Sequence, residues 1–263
     1  MQTTLNTERG QVRYWISGES GAAIVFTHGA TMDHGMFAQQ EKFFSERYLT
    51  ITWDVPGHGL SRPYKGFSLQ NAAADLFSIL DQEGIQHAHF VGQSMGGYIA
   101  QVCAYAHPER VSTLTVIGSS PITATYLSGM DKFLLSITPA LLRLYPYNYL
   151  VATIARQISV TASGIKYALE TLNGLTKAEI AHIMRMVYAG IDGYTADIPS
   201  QIPLLITYGE NDVTGKVEEY SKIWAAKGGH ELKVIPHAAH NANVDNPDFL
   251  NQALLEFVQD NEK

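Results

Sequence analysis

The chain has 263 residues, 46% hydrophobic and 16% charged, with a formal net charge of −7. That apolar content supplies the core of one or two domains, while the acidic balance, with no basic run, argues against nucleic acid or anionic membranes as partners. The single cysteine, Cys103, excludes an intrachain disulfide and falls in an apolar stretch, where a buried small hydrophobe is expected.

Met1 to Glu8 has no cationic start followed by an apolar stretch, so it does not read as a signal peptide. No run approaches the ~18 apolar residues of a membrane span, and a cytoplasmic protein is expected. Val12 to Ile16 alternates imperfectly and reads as an edge strand; Gly18 to Gly21 reads as a turn. Ala22 to Phe26 is a continuous apolar run, the pattern of a strand buried on both faces of a parallel sheet. Mixed helical spacing follows over Met36 to Phe44, then a strand over Leu49 to Trp53 and a breaker-rich loop from Asp54 to Ser61.

Ser68 is placed to cap a helix with Leu69, Ala72, Ala73, Leu76 and Leu80 on one face, closed by Gly84. Ala88 to Val91 is strand-like, and Tyr98 to Ala106 has a helical pattern that stops at His107-Pro108. Val111 to Ile117 is the next strand. Strand alternating with helix predicts a parallel, doubly wound α/β sheet.

The rhythm breaks between about Pro121 and Pro199, where helical patterns occur without a convincing strand. Thr176 to Glu179 is a capping box ahead of Ile180, Ile183, Met184 and Val187. Sheet rhythm returns at Pro203 to Tyr208, followed by a helix over Val217 to Lys227, a short strand over Leu232 to Ile235 and a last helix from Pro247. Two units follow: a core over 1–120 and 200–263, and a helical insertion over 121–199.

Between the strand at Ala88 and the helix after it lies Gly92-Gln93-Ser94-Met95-Gly96-Gly97. Gly-x-Ser-x-Gly between strand and helix is the context that lifts a serine onto a sharp corner. Met95 opens the helix, so its N–H has no helical partner and suits an oxyanion. A serine hydroxyl needs a base, and the base an orienting acid. Asp212 and Glu210 are candidate acids just past one strand; His240 and His237 are candidate bases just past the last. His28-Gly29-Ala30 ends an earlier strand at the same sheet edge, where the Ala30 N–H is a second candidate oxyanion donor. His28 and His58 read as structural. His28, His34 and His58 lack ligand-like spacing with carboxylates, so neither metal nor cofactor is expected.

With these motifs in this order the sequence resembles the α/β-hydrolase family over nearly its whole length. The carriers are His28-Gly29-Ala30, Asp54-x-Pro56-Gly57-His58-Gly59-x-Ser61, the Ser94 elbow, Gly209-x-x-Asp212 and His240. The resemblance implies Ser94 as nucleophile, His240 as base, Asp212 as its orienting acid, Ala30 and Met95 as oxyanion donors, and a helical cap over roughly 121–199. Two departures stand out: Ala239 precedes the histidine where relatives often have glycine, and Val213-Thr214-Gly215 follows the acid where many have a proline.

The activity implied is hydrolysis of a small or medium carboxylic ester or lactone through an acyl-enzyme. The same residues also suit carbon–carbon bond hydrolysis, a lyase step or acyl transfer. A ligand receptor with little turnover would not need a base beside a serine. Seven tyrosines, at 126, 145, 147, 149, 167, 188 and 194, fall in the 121–199 block, and its six basic and five acidic residues (Asp192 among them) make it the least acidic part of the chain. Some of these tyrosines are expected to face the site, around a mostly apolar, neutral or anionic acyl substrate.

Overall fold

The computed structural model describes residues 1–18, 20–191 and 193–262. Glu19, inside the expected Gly18–Gly21 turn, Asp192 of the helical block and Lys263 lie outside the described residues.

One sheet contains eight strands: β1 (Gln2–Thr7), β2 (Gly10–Ser17), β3 (Ala23–Thr27), β4 (Leu49–Trp53), β5 (Ala88–Gln93), β6 (Val111–Ile117), β7 (Leu204–Gly209) and β8 (Glu231–Ile235). Their spatial order is β1-β2-β4-β3-β5-β6-β7-β8. From β4 across to β8 the neighbours are parallel, while β1–β2 and β2–β4 are antiparallel. Every residue of β3, β5 and β7 is buried, as expected of mainly apolar strands covered on both faces; the polar His89 and Gln93 of β5 are buried with the rest.

The expected edge strand is not at the edge. Val12 to Ile16 belongs to β2, and the N-terminal segment, whose pattern predicts no strand, pairs outside it as β1 from Gln2↔Trp15 to Thr7↔Gly10. Gln2 to Thr7 is mostly polar because only Leu5 is buried, so hydrophobic periodicity carries no signal there.

The helices of the core are α1 (Ala38–Phe44), α2 (Leu69–Gln82) and α3 (Met95–Ala106). The Ser68 side chain caps α2 by accepting from the Asn71 N–H, and the five residues on its predicted face are all buried. Between β6 and β7 the described residues form four α-helices: α4 (Gly129–Leu142), α5 (Tyr147–Ile158), α6 (Ala162–Asn173) and α7 (Lys177–Gly190). Thr176 and Glu179 close the capping box at the start of α7. After β7 come α8 (Val217–Gly228), a short α9 (Ala242–Asp245) and α10 (Pro247–Asn261). The single turn α9 escapes a periodicity reading because four residues cannot show a 3.6-residue repeat. The carboxyl ends of β3, β5, β6 and β7 thus lie side by side in the middle of the sheet.

Candidate active site

Ser94 links β5 to α3 with φ 50° and ψ −113°. A non-glycine residue held there costs about 1–3 kcal/mol, which surrounding bonds must offset. Its N–H donates to the Ile117 carbonyl (2.9 Å), and its own carbonyl accepts from Gly97 and Tyr98 N–H (2.9 and 3.2 Å). A serine before a helix ordinarily caps it, yet Ser94 makes no side-chain capping bond and instead lines a cavity.

Three glycines permit this corner. A Cβ on Gly92 would lie 2.2 Å from the Gly96 carbonyl oxygen, across the turn. On Gly96 it would lie 2.0 Å from the Thr27 carbonyl oxygen, so the constraint there is the neighbouring strand β3 and not the turn itself. On Gly97 it would lie 2.5 Å from Cβ of Ser119, just past β6. Met95, the first residue of α3, is fully buried.

His240 and Asp212 meet. His240 Nδ1 donates to Asp212 Oδ2 at 2.8 Å, and Asp212 Oδ1 accepts from the Thr214 N–H at 2.8 Å. A carboxylate only accepts, so the Nδ1 hydrogen is fixed toward Asp212 and Nε2 of a neutral ring is the acceptor. Both side chains are nearly shut off from solvent, at 8% and 0% exposure. The departure at Val213-Thr214-Gly215 leaves Asp212 on His240, and Thr214 supplies a backbone donor to its other oxygen. The rival candidates pair with each other instead: Glu210 Oε2 accepts from the exposed His237 N–H at 3.0 Å, outside the cavity lining.

Ala30, Ser94 and His240 all line one cavity of about 580 Å³. The Ala30 loop is a tight turn: Met32 N–H donates to the Gly29 carbonyl at 3.2 Å, and Thr31 adopts φ 66° with its hydroxyl on the Ala30 carbonyl at 2.5 Å. His28 accepts from the Val55 N–H at 2.9 Å through Nε2 and places Nδ1 2.8 Å from the Gly29 carbonyl, fastening the ends of β3 and β4 together. Burial lowers its affinity for a proton. His58 is also buried and is pushed down to about 3, first by burial and then by His28. Asp54 receives the Leu60 N–H (2.6 Å) and both the backbone and Nδ1 of His34 (2.8 Å each), so the Asp54–Ser61 loop is held by its first residue.

The cavity walls come largely from the four-helix block. Leu134 and Leu142 on α4, Ile154 and Ile158 on α5, and Ile180, Met184, Val187 and Tyr188 on α7 line it. The wall is aliphatic, unlike the tyrosine wall expected: of the seven tyrosines only Tyr188 faces the cavity. Tyr147 is spent on the Leu172 and Leu175 carbonyls, Tyr167 on Asp33, Tyr194 on stacking against Tyr105, and Tyr145 on stacking against Tyr149. Among the described residues, charge enters the lining as Asp131 and Lys216, which pair at 3.1 Å while the Tyr220 hydroxyl donates to Asp131 at 2.6 Å.

Sequence reasoning missed two supports. Gln93, inside the elbow motif, is buried and its Nε2 donates to the His240 backbone carbonyl at 2.9 Å. Gly118, with φ +57°, ends β6 where a Cβ would stand 3.1 Å from His240 Nδ1 and 3.2 Å from Asp212 Oδ2. A lone glycine after an apolar strand was the only trace of the second; the first had none beyond its place between the elbow glycines.

A mostly parallel eight-stranded sheet with a strained serine corner after its central strand defines the α/β-hydrolase fold. A family model described as "alpha/beta hydrolase fold" matches residues 22–247, and the chain belongs to that family. It is 27% identical to a pimeloyl-[acyl-carrier protein] methyl ester esterase of Yersinia enterocolitica, over 94% of this chain and 97% of that one. It is 37% identical to 3-oxoadipate enol-lactonase 1 of Acinetobacter baylyi over 102 residues, 39% of this chain and 38% of that relative's length. A solved structure of a thermophilic esterase from Thermogutta terrifontis superposes with a TM-score of 0.84, covering 100% of both chains at 18% identity.

Proposed function

We propose that the protein hydrolyses a small or medium carboxylic ester or lactone through an acyl-enzyme on Ser94. The observation that carries this reading is the 2.8 Å His240–Asp212 bond, with the serine and the histidine lining one cavity. Ser94 attacks the acyl carbon while His240 Nε2 takes its proton; Asp212 holds the ring in the required tautomer. The N–H groups of Ala30 and Met95 receive the charge on the carbonyl oxygen. His240 then returns the proton to the leaving alcohol, and water, activated by the same nitrogen, releases the acid. In a lactone the leaving alcohol stays attached, so ring opening completes on one product.

The helices over 121–199 serve as the cap of this site, their aliphatic faces forming the acyl pocket. The esterase and lactonase relatives act on the bond class proposed here. The test is intact-protein mass after reaction with a fluorophosphonate. One equivalent is expected on the wild type and none on Ser94→Ala; labelling that persists in the variant refutes the assignment.

A further inference from the structure

The loop that carries His240 is tied to the helical block on both sides of the histidine. On one side, Asn241 N–H donates to the Ile158 carbonyl at 2.7 Å. On the other, Ala239 N–H donates to Asp245 Oδ2 at 3.0 Å. The same Oδ2 accepts from the Val160 N–H at 3.0 Å, and Oδ1 accepts from the Thr161 N–H (3.1 Å) and the Thr161 hydroxyl (2.7 Å). One carboxylate thus gathers four donors, three from the corner between α5 and α6 and one from the backbone of Ala239, the residue before His240. Ile158, at that corner, also lines the cavity.

The surroundings are built to fit this carboxylate. A Cβ at Gly164, in the first turn of α6, would lie 2.7 Å from Asp245 Oδ1. Asp245 ends α9, the single turn that follows the His240 loop, so its backbone is fixed relative to that loop. Hydrogen bonds to an ionised acceptor are roughly twice as strong as neutral ones, and a carboxylate with four donors leaves no slack in either partner.

We infer that Asp245 is a positioning residue: it sets the place of His240 and couples that place to the α5–α6 corner of the substrate pocket. The inference rests on the reading of His240 as the base. Asp245 faces no reacting atom and acts through Ala239 and the corner. An acyl group pressing on Ile158 bears on a segment joined directly to the base, so pocket occupancy and base alignment are one mechanical unit. Small displacements matter here, because a catalytic group misplaced by about 1 Å can cost on the order of 100-fold in rate.

The test uses the full chain. Asp245→Asn and Gly164→Ala are compared with wild type in kcat and KM on a neutral butyrate ester, with active serines counted by fluorophosphonate to the endpoint. Asp245→Asn is expected to lower kcat per titratable serine at least about tenfold with KM within about twofold. Gly164→Ala, which leaves the carboxylate in place but crowds it, is expected to move kcat per site in the same direction by a smaller factor. A merely structural role would reduce the number of titratable serines and leave turnover per serine unchanged, and that result overturns the inference. Should Asp245→Asn not fold, Gly164→Ala decides alone by the same criterion. His240→Ala run alongside separates the two levels: an active His240→Ala refutes the proposed base, whereas an inactive one beside a fully active Asp245→Asn refutes only the positioning role.

Discussion

The side-chain amide of Gln93 donates to the backbone carbonyl of His240 at 2.9 Å. One residue before the proposed nucleophile therefore holds the loop of the proposed base. Gln93→Leu leaves a buried carbonyl unpaired, at a cost of about 1–3 kcal/mol. A fall in Tm of several degrees is expected, since about 1 kcal/mol shifts a chain of this size by roughly 2–4 °C. kcat should fall with it. Gln93→Glu, which replaces the donor by an acceptor, should be at least as damaging; a thermal melt and steady-state kinetics on both variants check this.

Asp212 and Glu210 separate cleanly in the structure, and so should their variants. Asp212→Asn no longer enforces the Nδ1–H tautomer, and a loss on the order of 10⁴ in kcat is expected from the corresponding change in a serine–histidine–aspartate system. Glu210→Gln and His237→Ala change exposed side chains outside the cavity lining and should stay within about twofold of wild type, the small range usual for exposed positions. Equal loss in Glu210→Gln would reassign the acid.

Gly118→Ala should impair turnover with little effect on substrate affinity. At φ +57° an alanine is strained, and its Cβ would crowd both His240 Nδ1 and Asp212 Oδ2 from 3.1–3.2 Å. The expected signature is a lower kcat with KM near wild type, read from initial rates on a single ester.

Substrate charge and length are predicted by the cavity. Its charged lining residues, Asp131 and Lys216, are committed to each other, so wild type should favour neutral acyl groups. The expectation from sequence of a neutral or anionic substrate narrows accordingly. Asp131→Asn frees Lys216 from this partner and should raise kcat/KM for a hemisuccinate ester relative to a butyrate ester of the same leaving group. Across acetyl, butyryl, octanoyl and palmitoyl esters, a 580 Å³ cavity lined by α4 and α7 should place the maximum at butyryl or octanoyl. A maximum at palmitoyl would contradict the assigned pocket.

Stability should fall on mild acidification. His58 and His89 are buried neutral, and burial pushes them down to about 3 and about 4. In the unfolded chain a histidine titrates near ~6.5, so below that pH the unfolded state binds more protons than the folded one. The contribution is complete above ~6.5, declines as pH drops below it, and for His89 is spent once the pH passes its folded value of about 4. Tm followed from pH 7.5 to 4.5 should decrease, and His89→Leu should flatten part of that slope although its bond to Thr113 is lost.

The sequence by itself determined the elements whose signal is local. Short segments rich in β-branched and apolar residues marked β3 to β8, the Ser68 and Thr176 caps marked α2 and α7, and the glycines around Ser94 marked a corner that only a residue without a Cβ permits at three places. Order along the chain also brought Ser94, Asp212 and His240 to strand ends, because a parallel sheet gathers its carboxyl ends at one edge. What the tertiary structure decided is whatever depends on who sits across a gap. Which of Asp212 and Glu210 faces His240, which tyrosines are consumed by carbonyls and ring stacking, and where Gln93 and Asp245 direct their polar atoms are mostly relations between segments far apart in the chain, 147 residues in the case of Gln93 and His240. Hydrogen bonds depend on distance and direction in space, not on spacing in sequence, so no periodicity records them. The strand β1 shows the same limit from the other side: its mostly polar residues pair because β2 has a free edge to offer, and that edge exists only once the sheet has formed.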